Sequence, residues 1–160
     1  TATNFNQDIG SWNTQNVADM SRLFHSMPNF NQNLNNWNVT SATTMFAMFI
    51  NSSSFNQNLS DWDITSLTTG RLMFSGTNMS TENYTDTIVG WAVYVYNNSG
   101  APSSVNMTSN GKTFDGTRTT DNASSQTYAA KYGSNWTATG WTDAQDAFDY
   151  LTTTLSWTIN

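Results

Sequence analysis

Apolar residues in the first half of the chain recur on a step of 25, and not on a helical or a strand period. Phe5, Phe30 and Phe55 head three blocks, followed by an aliphatic at Ile9, Leu34 and Leu59 and a tryptophan at Trp12, Trp37 and Trp62. Later columns hold Val17, Ala42 and Leu67, then Met20 and Met45 with Gly70, then Leu23, Met48 and Met73, and last Phe24, Phe49 and Phe74. These offsets fit neither a period of about 3.6 nor one of about 2. They predict a chain that bends several times per block, turns one apolar residue inward on each side, and stacks each column on its copy. One such unit cannot bury its own apolar face, so the blocks must form an array. A buried aromatic removes about 150–250 Å² from water, or about 4–6 kcal/mol before entropy. That gain offsets the ordering cost only if neighbours cover both faces. The intervening Asn6, Asn31, Asn56 and Gln7, Gln32, Gln57 columns are expected to form amide ladders that satisfy buried turn carbonyls.

After Met79 the period stops. Tyr84, Ile88, Trp91, Ala92 and Val95 follow at helical spacing, with Thr81 as the expected N-cap, although Val93–Tyr96 also suits a strand. Ser, Thr, Asn and Gly dominate from Asn97 to Trp141, with strands expected near Val105–Met107 and Lys112–Phe114. A second helix is predicted from a Thr142/Gln145 capping box, with Ala144, Ala147, Phe148 and Leu151 on one face. Trp157–Ile159 reads as a closing strand. The expected division is a repeat region over 1–79 and a capping region over 80–160. Thr1-Ala2-Thr3-Asn4 offers no amphipathic cover for Phe5, Ile9 and Trp12. The expectation is therefore a processed form or fragment, with upstream repeats or a neighbouring subunit against that end.

The pattern F-N-Q-x-[IL]-x-x-W, closed by an [LM]-F pair, resembles the BspA-like leucine-rich-repeat surface proteins, also described as the DUF285 repeat. Residues 5–79 carry it, and Asn83-Tyr84, Ile88–Ala92, Thr113–Asp115 and Trp157–Ile159 resemble the ending of that family. Gly70 departs from its methionine column. The resemblance implies an α/β fold: a short leucine-rich-repeat-like solenoid of three 25-residue repeats with short parallel strands, closed by a C-terminal α+β cap. It also implies an extracellular adhesin on a cell or virion surface, and it brings no catalytic residues.

Composition narrows the function further. Charged residues make up 10% of the chain, against about 25% in ordinary soluble domains, and short hydroxyl and amide side chains replace them. Net charge is −6, from 11 acidic and 5 basic residues. No basic cluster exists to neutralise phosphates or anionic lipid, which excludes nucleic-acid and lipid-surface binding. There is no cysteine, so thiol redox chemistry, thiolate metal sites and disulfides are excluded. No apolar run reaches the length of a membrane helix.

Few side chains point to chemistry. His25 is the lone histidine, and the other blocks place Ile50 and Ser75 at its offset, so it is read as structural. Asp61 and Asp63 flank Trp62, while Asp143, Asp146 and Asp149 lie three apart. A glycosidase needs two carboxyls facing each other across a cleft, whereas Asp143 and Asp146 suit a helix N-terminus. No cofactor is expected. Calcium would suit the acidic and amide oxygens, but no calcium-loop motif is present. The N-x-[ST] triplets at Asn38, Asn51, Asn78, Asn83, Asn97, Asn106, Asn122 and Asn135 are expected by chance in so polar a chain.

The candidate binding surface is the non-repeating polar set between the inward columns. It comprises Gln15, Asn16 and Asp19 in the first block, Thr40, Ser41, Thr43 and Thr44 in the second, and Thr65, Ser66, Thr68 and Thr69 in the third. This array would either hold a surface glycan or protein receptor by many weak hydrogen bonds or merely solvate the repeat face. The leading expectation is a non-enzymatic adhesion or receptor-binding module. The alternatives are a structural appendage of a virion or cell surface, packed through the Phe5 end, and a carbohydrate-active enzyme. An adhesin of this kind should lose binding when Thr43 and Thr68 become lysine.

Overall fold

Each block turns its corners with the same short-range bonds. Trp12, Trp37 and Trp62 donate their backbone N–H to the carbonyls of Ile9, Leu34 and Leu59, three residues back, at 3.0, 2.9 and 3.2 Å. Val17, Ala42 and Leu67 do the same to Thr14, Val39 and Ile64. The corners are reinforced by side chains at fixed offsets. Asp8, Asn33 and Asn58 each accept the N–H two residues on, as do Asn13, Asn38 and Asp63. Asn and Asp favour such turns because the short side chain imitates a backbone carbonyl. The structure, a computed structural model, describes residues 2–98, 102–108, 111–120 and 126–159.

Three coils of this kind stack in register. Ring centroids of Phe5 and Phe30 lie 6.1 Å apart and those of Phe30 and Phe55 6.2 Å apart. The Phe24, Phe49 and Phe74 column is interleaved with them, with Phe24 4.1 Å from Phe30 and Phe49 3.9 Å from Phe55. The tryptophans also bond along the stack: Trp37 Nε1 donates to Ile9 O at 2.9 Å and Trp62 Nε1 to Leu34 O at 2.8 Å. Of the nine repeat aromatics, Phe24, Phe30, Trp37, Phe49, Phe55, Trp62 and Phe74 are buried, Phe5 is half-buried, and Trp12 is 56% exposed at the open end. Ile9, expected to be half exposed, is buried beneath Trp37.

The α/β fold with short parallel strands does not form. Among the described residues the chain is mostly coil and helix, and adjacent coils meet through single parallel bridges, Asp19 to Thr44 to Thr69 to Asn106 to Thr158. The reason lies in the backbone of the segment that follows each bridge. Arg22 and Ser26 adopt φ of 57° and 53°, and Ala47, Asn51 and Leu72 repeat the left-handed conformation at the same offsets. Gly76 fills the Ser26/Asn51 offset in the third coil, at φ 72°. A chain passing through left-handed residues cannot lie extended. It curls through successive tight turns and sends alternate N–H groups along the stack. Met20, Arg22, Phe24 and Ser26 donate to Thr44, Phe46, Met48 and Ile50, and Met45, Ala47, Phe49 and Asn51 to Thr69, Arg71, Met73 and Ser75.

The capping region is likewise not α+β among the described residues. Helix α1 spans Thr81–Asn97, α2 Tyr128–Tyr132, α3 Ser134–Thr137 and α4 Ala144–Asp149, the last running into a π-helical turn over Tyr150–Thr154. The expected strands near Val105–Met107 and Trp157–Ile159 reduce to the single rungs Asn106 and Thr158, and Lys112–Phe114 forms none. Ser80, not Thr81, caps α1 through its side chain. Asp143, not Thr142, caps α4, while Gln145 turns to Asp149. Val93–Tyr96 is helical. Gly70 stands in the methionine column because Met107 fills the space, and a Cβ there would lie 2.3 Å from the Met107 sulfur.

Helix α1 docks by copying the contacts of a coil. In the stack, Asn56 N and Gln57 Nε2 donate to Asn31 Oδ1 at 2.8 Å. One step on, Ser80 N and Asn83 Nδ2 donate to Asn56 Oδ1 at 2.8 and 3.0 Å. Trp91 Nε1 donates to Leu59 O at 2.8 Å, as each inner tryptophan does to the coil before it. The ladder runs along a solvent-facing edge, so it satisfies exposed and half-buried groups, not deeply buried ones. Asn31→Ala, which strands Asn56 N beside water and leaves Gln57 Nε2 its bond to Asn31 O, is therefore expected to cost only about 1 kcal/mol. A urea titration checks this, and a loss of several kcal/mol would contradict it.

Candidate functional site

Two recesses open on the described surface where the third coil meets the cap. Gly90 of α1 sits against Ser60, and a Cβ there would lie 2.3 Å from the Ser60 carbonyl oxygen and 2.5 Å from its Cβ. Only glycine permits this approach, and it brings Ser60 and Asp61 to the junction of two grooves. The first, about 460 Å³, is lined by Asn33, Asn35, Asn56, Gln57, Asn58, Asn83, Gln126 and Lys131 together with Ser60 and Asp61. The second, about 400 Å³, shares Ser60 and Asp61 and adds Gly90, Val93, Tyr94, Asn97, Asn98, Tyr132 and Asn135. Both fall within the roughly 300–1,000 Å³ of small-ligand clefts.

The lining is held in place before any ligand arrives. Asp61 Oδ2 accepts from Asn35 Nδ2 at 2.6 Å, and Asp61 N donates to Asn35 Oδ1 at 3.1 Å. Lys131 reaches over from α2 and donates to Ser60 Oγ at 2.9 Å, with Asp61 Oδ1 3.9 Å away. Its ammonium also lies 5.3 Å from the centre of the Tyr132 ring. One carboxylate and one ammonium therefore balance each other across the junction, leaving a rim of neutral amides.

A buried polar group fixes the element that carries Lys131. Asp86 of α1 is fully buried. Its Oδ1 accepts from Tyr128 Oη at 2.7 Å and from the Arg118 guanidinium at 3.3 Å, and its Oδ2 accepts from Asn58 Nδ2 at 3.4 Å. Asp115 N donates to Thr85 Oγ1 at 2.9 Å, and Lys112 Nζ to Thr77 O at 2.8 Å. Burial holds the Lys112 ammonium below its ordinary range. These bonds tie residues 111–120 and 126–132 to α1 and the third coil. Burial also pushes the Tyr84 phenol up, and burial together with the Asp86 bond raises that of Tyr128, both from an ordinary 10.0. An unfolded phenol releases its proton near that value while the folded one keeps it. The stabilisation is complete below pH 10 and is lost as pH rises beyond it. The melting temperature should be level from pH 7 to 9 and fall steeply above 10, and a level profile into stronger alkali would contradict this.

The polar set predicted from the sequence lies along the bridge ladder and lines neither groove. Its threonine hydroxyls are engaged internally. Thr43 and Thr68 donate to Ala18 O and Thr43 O of the preceding coil at 3.2 and 2.7 Å. Thr40 and Thr65 donate to Asn38 Oδ1 and Asp63 Oδ1 at 2.7 and 2.6 Å. Thr44 and Thr69 accept their own turn N–H groups, and Thr44 also pairs with Ser21. Asp19 accepts from Ser21, whose side chain and N–H hold its carboxyl below the usual range. Gln15, Asn16 and Ser41 are exposed, and Ser66 is half-buried. His25 lies exposed on the surface. Asp63 closes a turn, Asp143 caps α4, and Asp146 accepts from the Thr142 N–H and hydroxyl at 2.6 and 3.0 Å. Among the triplet asparagines, Asn83 and Asn106 are committed to internal bonds, and Asn122 lies outside the described residues. No group of three or more His, Asp or Glu suited to a metal ion is gathered among the described residues, and none of their helices is long and apolar enough to cross a membrane.

Asp61, Asn56, Gln57, Asn83, Asn97 and Asn135 were noted from the sequence for other roles, but the grooves they line were not predicted. The Asp8, Asn33, Asn58 column carried a legible signal, an Asx residue repeated at one offset. Asp86 carried a weaker one, an acid inside an otherwise apolar helical stripe. Comparison with known proteins adds one match: the family described as Mycoplasma protein of unknown function, DUF285, covers residues 1–91. No curated protein and no solved structure matches the chain.

Proposed function

Because this chain belongs to the DUF285 family, we propose that it is a non-catalytic surface-binding module related to the BspA-like proteins. It works outside the cell, on a cell or virion surface, and holds a surface glycan or protein receptor in the two grooves around Asp61. The carrying observation is the junction itself. Two recesses of ligand size share Ser60 and Asp61, and their amides and charges are already bonded into fixed positions. Preorganisation lowers the ordering cost of binding. The charge-poor surface and the resemblance of the Phe-Asn-Gln blocks to surface repeats support the same assignment. The proposal is tested by titrating labelled protein on intact cells. Saturable binding is expected, and linear, non-saturable uptake by well-folded protein would overturn it.

A second assignment, a structural subunit, rests on the open end of the stack. Trp12, Val17 and Leu23 are 56%, 38% and 42% exposed there, and Trp12 carries a ring partner on one side in Trp37. Such a face suits another coil or a neighbouring subunit. Light scattering decides it: concentration-dependent association abolished by Trp12→Asp supports this assignment, and a monomer at high concentration removes it.

A further inference from the structure

We infer that the paired grooves bind a neutral oligosaccharide, one sugar ring lying against Tyr94 and the next on the amide edge at Asn33 and Gln57; this deepens the binding-module proposal above and rests on it. Four observations select this class. The grooves share Ser60 and Asp61, so they form one bipartite trough. Among the described residues the lining charges are the carboxylate of Asp61 and the ammonium of Lys131, 3.9 Å apart, a balanced pair that favours neither an anion nor a cation. Phosphate or sulfate recognition requires clustered guanidinium or ammonium groups, and among the described residues none converges here. A carboxamide carries a donor and an acceptor together, matching sugar hydroxyls, which also donate and accept.

The amides keep capacity for a ligand after their internal bonds are counted. The Asn33 Oδ1 accepts from Asn35 N, which leaves its Nδ2 facing the groove without a protein partner among the described residues. Gln57 Nε2 is spent on Asn31, and its Oε1 has no partner among the described residues. In the adjoining groove Asn97 Nδ2 bonds Val93 O and Asn135 O, so its ring-facing neighbour Tyr94 stands on a braced helix end. Tyr94 is 36% exposed and offers an apolar ring face with a polar tip. A protein partner would instead require a well-packed apolar anchor pocket, which neither groove supplies.

The test uses the purified chain on an array of neutral disaccharides and trisaccharides terminating in glucose, galactose, mannose or N-acetylhexosamine, with sialylated and sulfated glycans beside them. Binding confined to neutral members is expected, weakened at least about 10-fold, or about 1.4 kcal/mol, by Tyr94→Ala and by Asp61→Ala. Near-UV circular dichroism shows that each variant is folded, and Asp61, being exposed, provides the second variant if Tyr94→Ala is not. The inference is overturned by a blank on every neutral glycan, by hits on charged glycans only, or by hits that both folded variants retain. Cell binding separates this inference from the broader proposal. Saturable binding that survives periodate oxidation of the cell surface keeps the module and removes the oligosaccharide. No cell binding at all removes both.

Discussion

Trp62→Ala is expected to destabilise the fold by about 4 kcal/mol or more, whereas Trp12→Ala, at the same offset in the first block, should cost less than about 1 kcal/mol. Trp62 has no exposed surface, and deleting a buried tryptophan side chain costs about 3–5 kcal/mol through lost transfer energy and the cavity left behind. Its indole N–H also serves Leu34 O at 2.8 Å, and losing that bond adds about 1 kcal/mol, although the carbonyl keeps the Trp37 N–H. Trp12 is 56% exposed and has one stacking partner, Trp37, at 6.5 Å. Against a total stability of about 5–15 kcal/mol, the first change approaches unfolding and the second barely registers. Guanidinium titrations of both variants measure the contrast. Equal losses would mean that the tryptophan column does not stack in the order described.

Asp86→Ala carries the second large effect, a loss of about 3–5 kcal/mol. Removing one partner of a buried ion pair leaves the other charge uncompensated: here Tyr128 and Asn58 each lose an acceptor, and Arg118 loses its carboxylate and keeps Thr120 O. Asp86→Asn retains an acceptor and should cost less. The damage should be regional as well as global. Hydrogen exchange in 111–120 and 126–132 is expected to accelerate first, because Arg118 and Tyr128 tether those segments to α1. Exchange that accelerates uniformly through the coils instead would contradict the tethering role.

The repeat register and most of its buried columns were legible because stacking imposes one demand at every step: the same residue must meet its own copy 25 residues on. Helix α1 was legible for the ordinary reason that Tyr84, Ile88, Trp91 and Val95 mark a face. The missing strands were not, because φ at Arg22, Ala47 and Leu72 is set by the tight turns around them and leaves no trace in hydropathy. Nor did the sequence reveal that α1 repeats the bonding of a coil. Gln57 and Trp62 are five residues apart, but their counterparts Asn83 and Trp91 are eight apart. A helix advances about 1.5 Å per residue against about 3.3 Å in extended chain, so matching positions fall at different spacings. The grooves escaped for a related reason. Asp61 and Lys131 are 70 residues apart in a chain with few charges, and the bond from Lys131 to Ser60 depends on Asp86, Arg118 and Tyr128 placing α2. The threonines of the bridge ladder drew attention by being numerous and polar, yet their hydroxyls bond to the preceding coil or within their own turns.

The central claim is that function resides where the cap meets the third coil and not on the threonine ladder. The most direct measurement compares saturable cell binding of two folded variants, Asp61→Ala with Tyr94→Ala in the grooves and Thr43→Lys with Thr68→Lys on the ladder. The groove pair is expected to lose at least about 10-fold in affinity, about 1.4 kcal/mol, while the ladder pair stays within about 2-fold of the parent, about 0.4 kcal/mol. Loss confined to the ladder pair, with the groove pair unchanged, would contradict it.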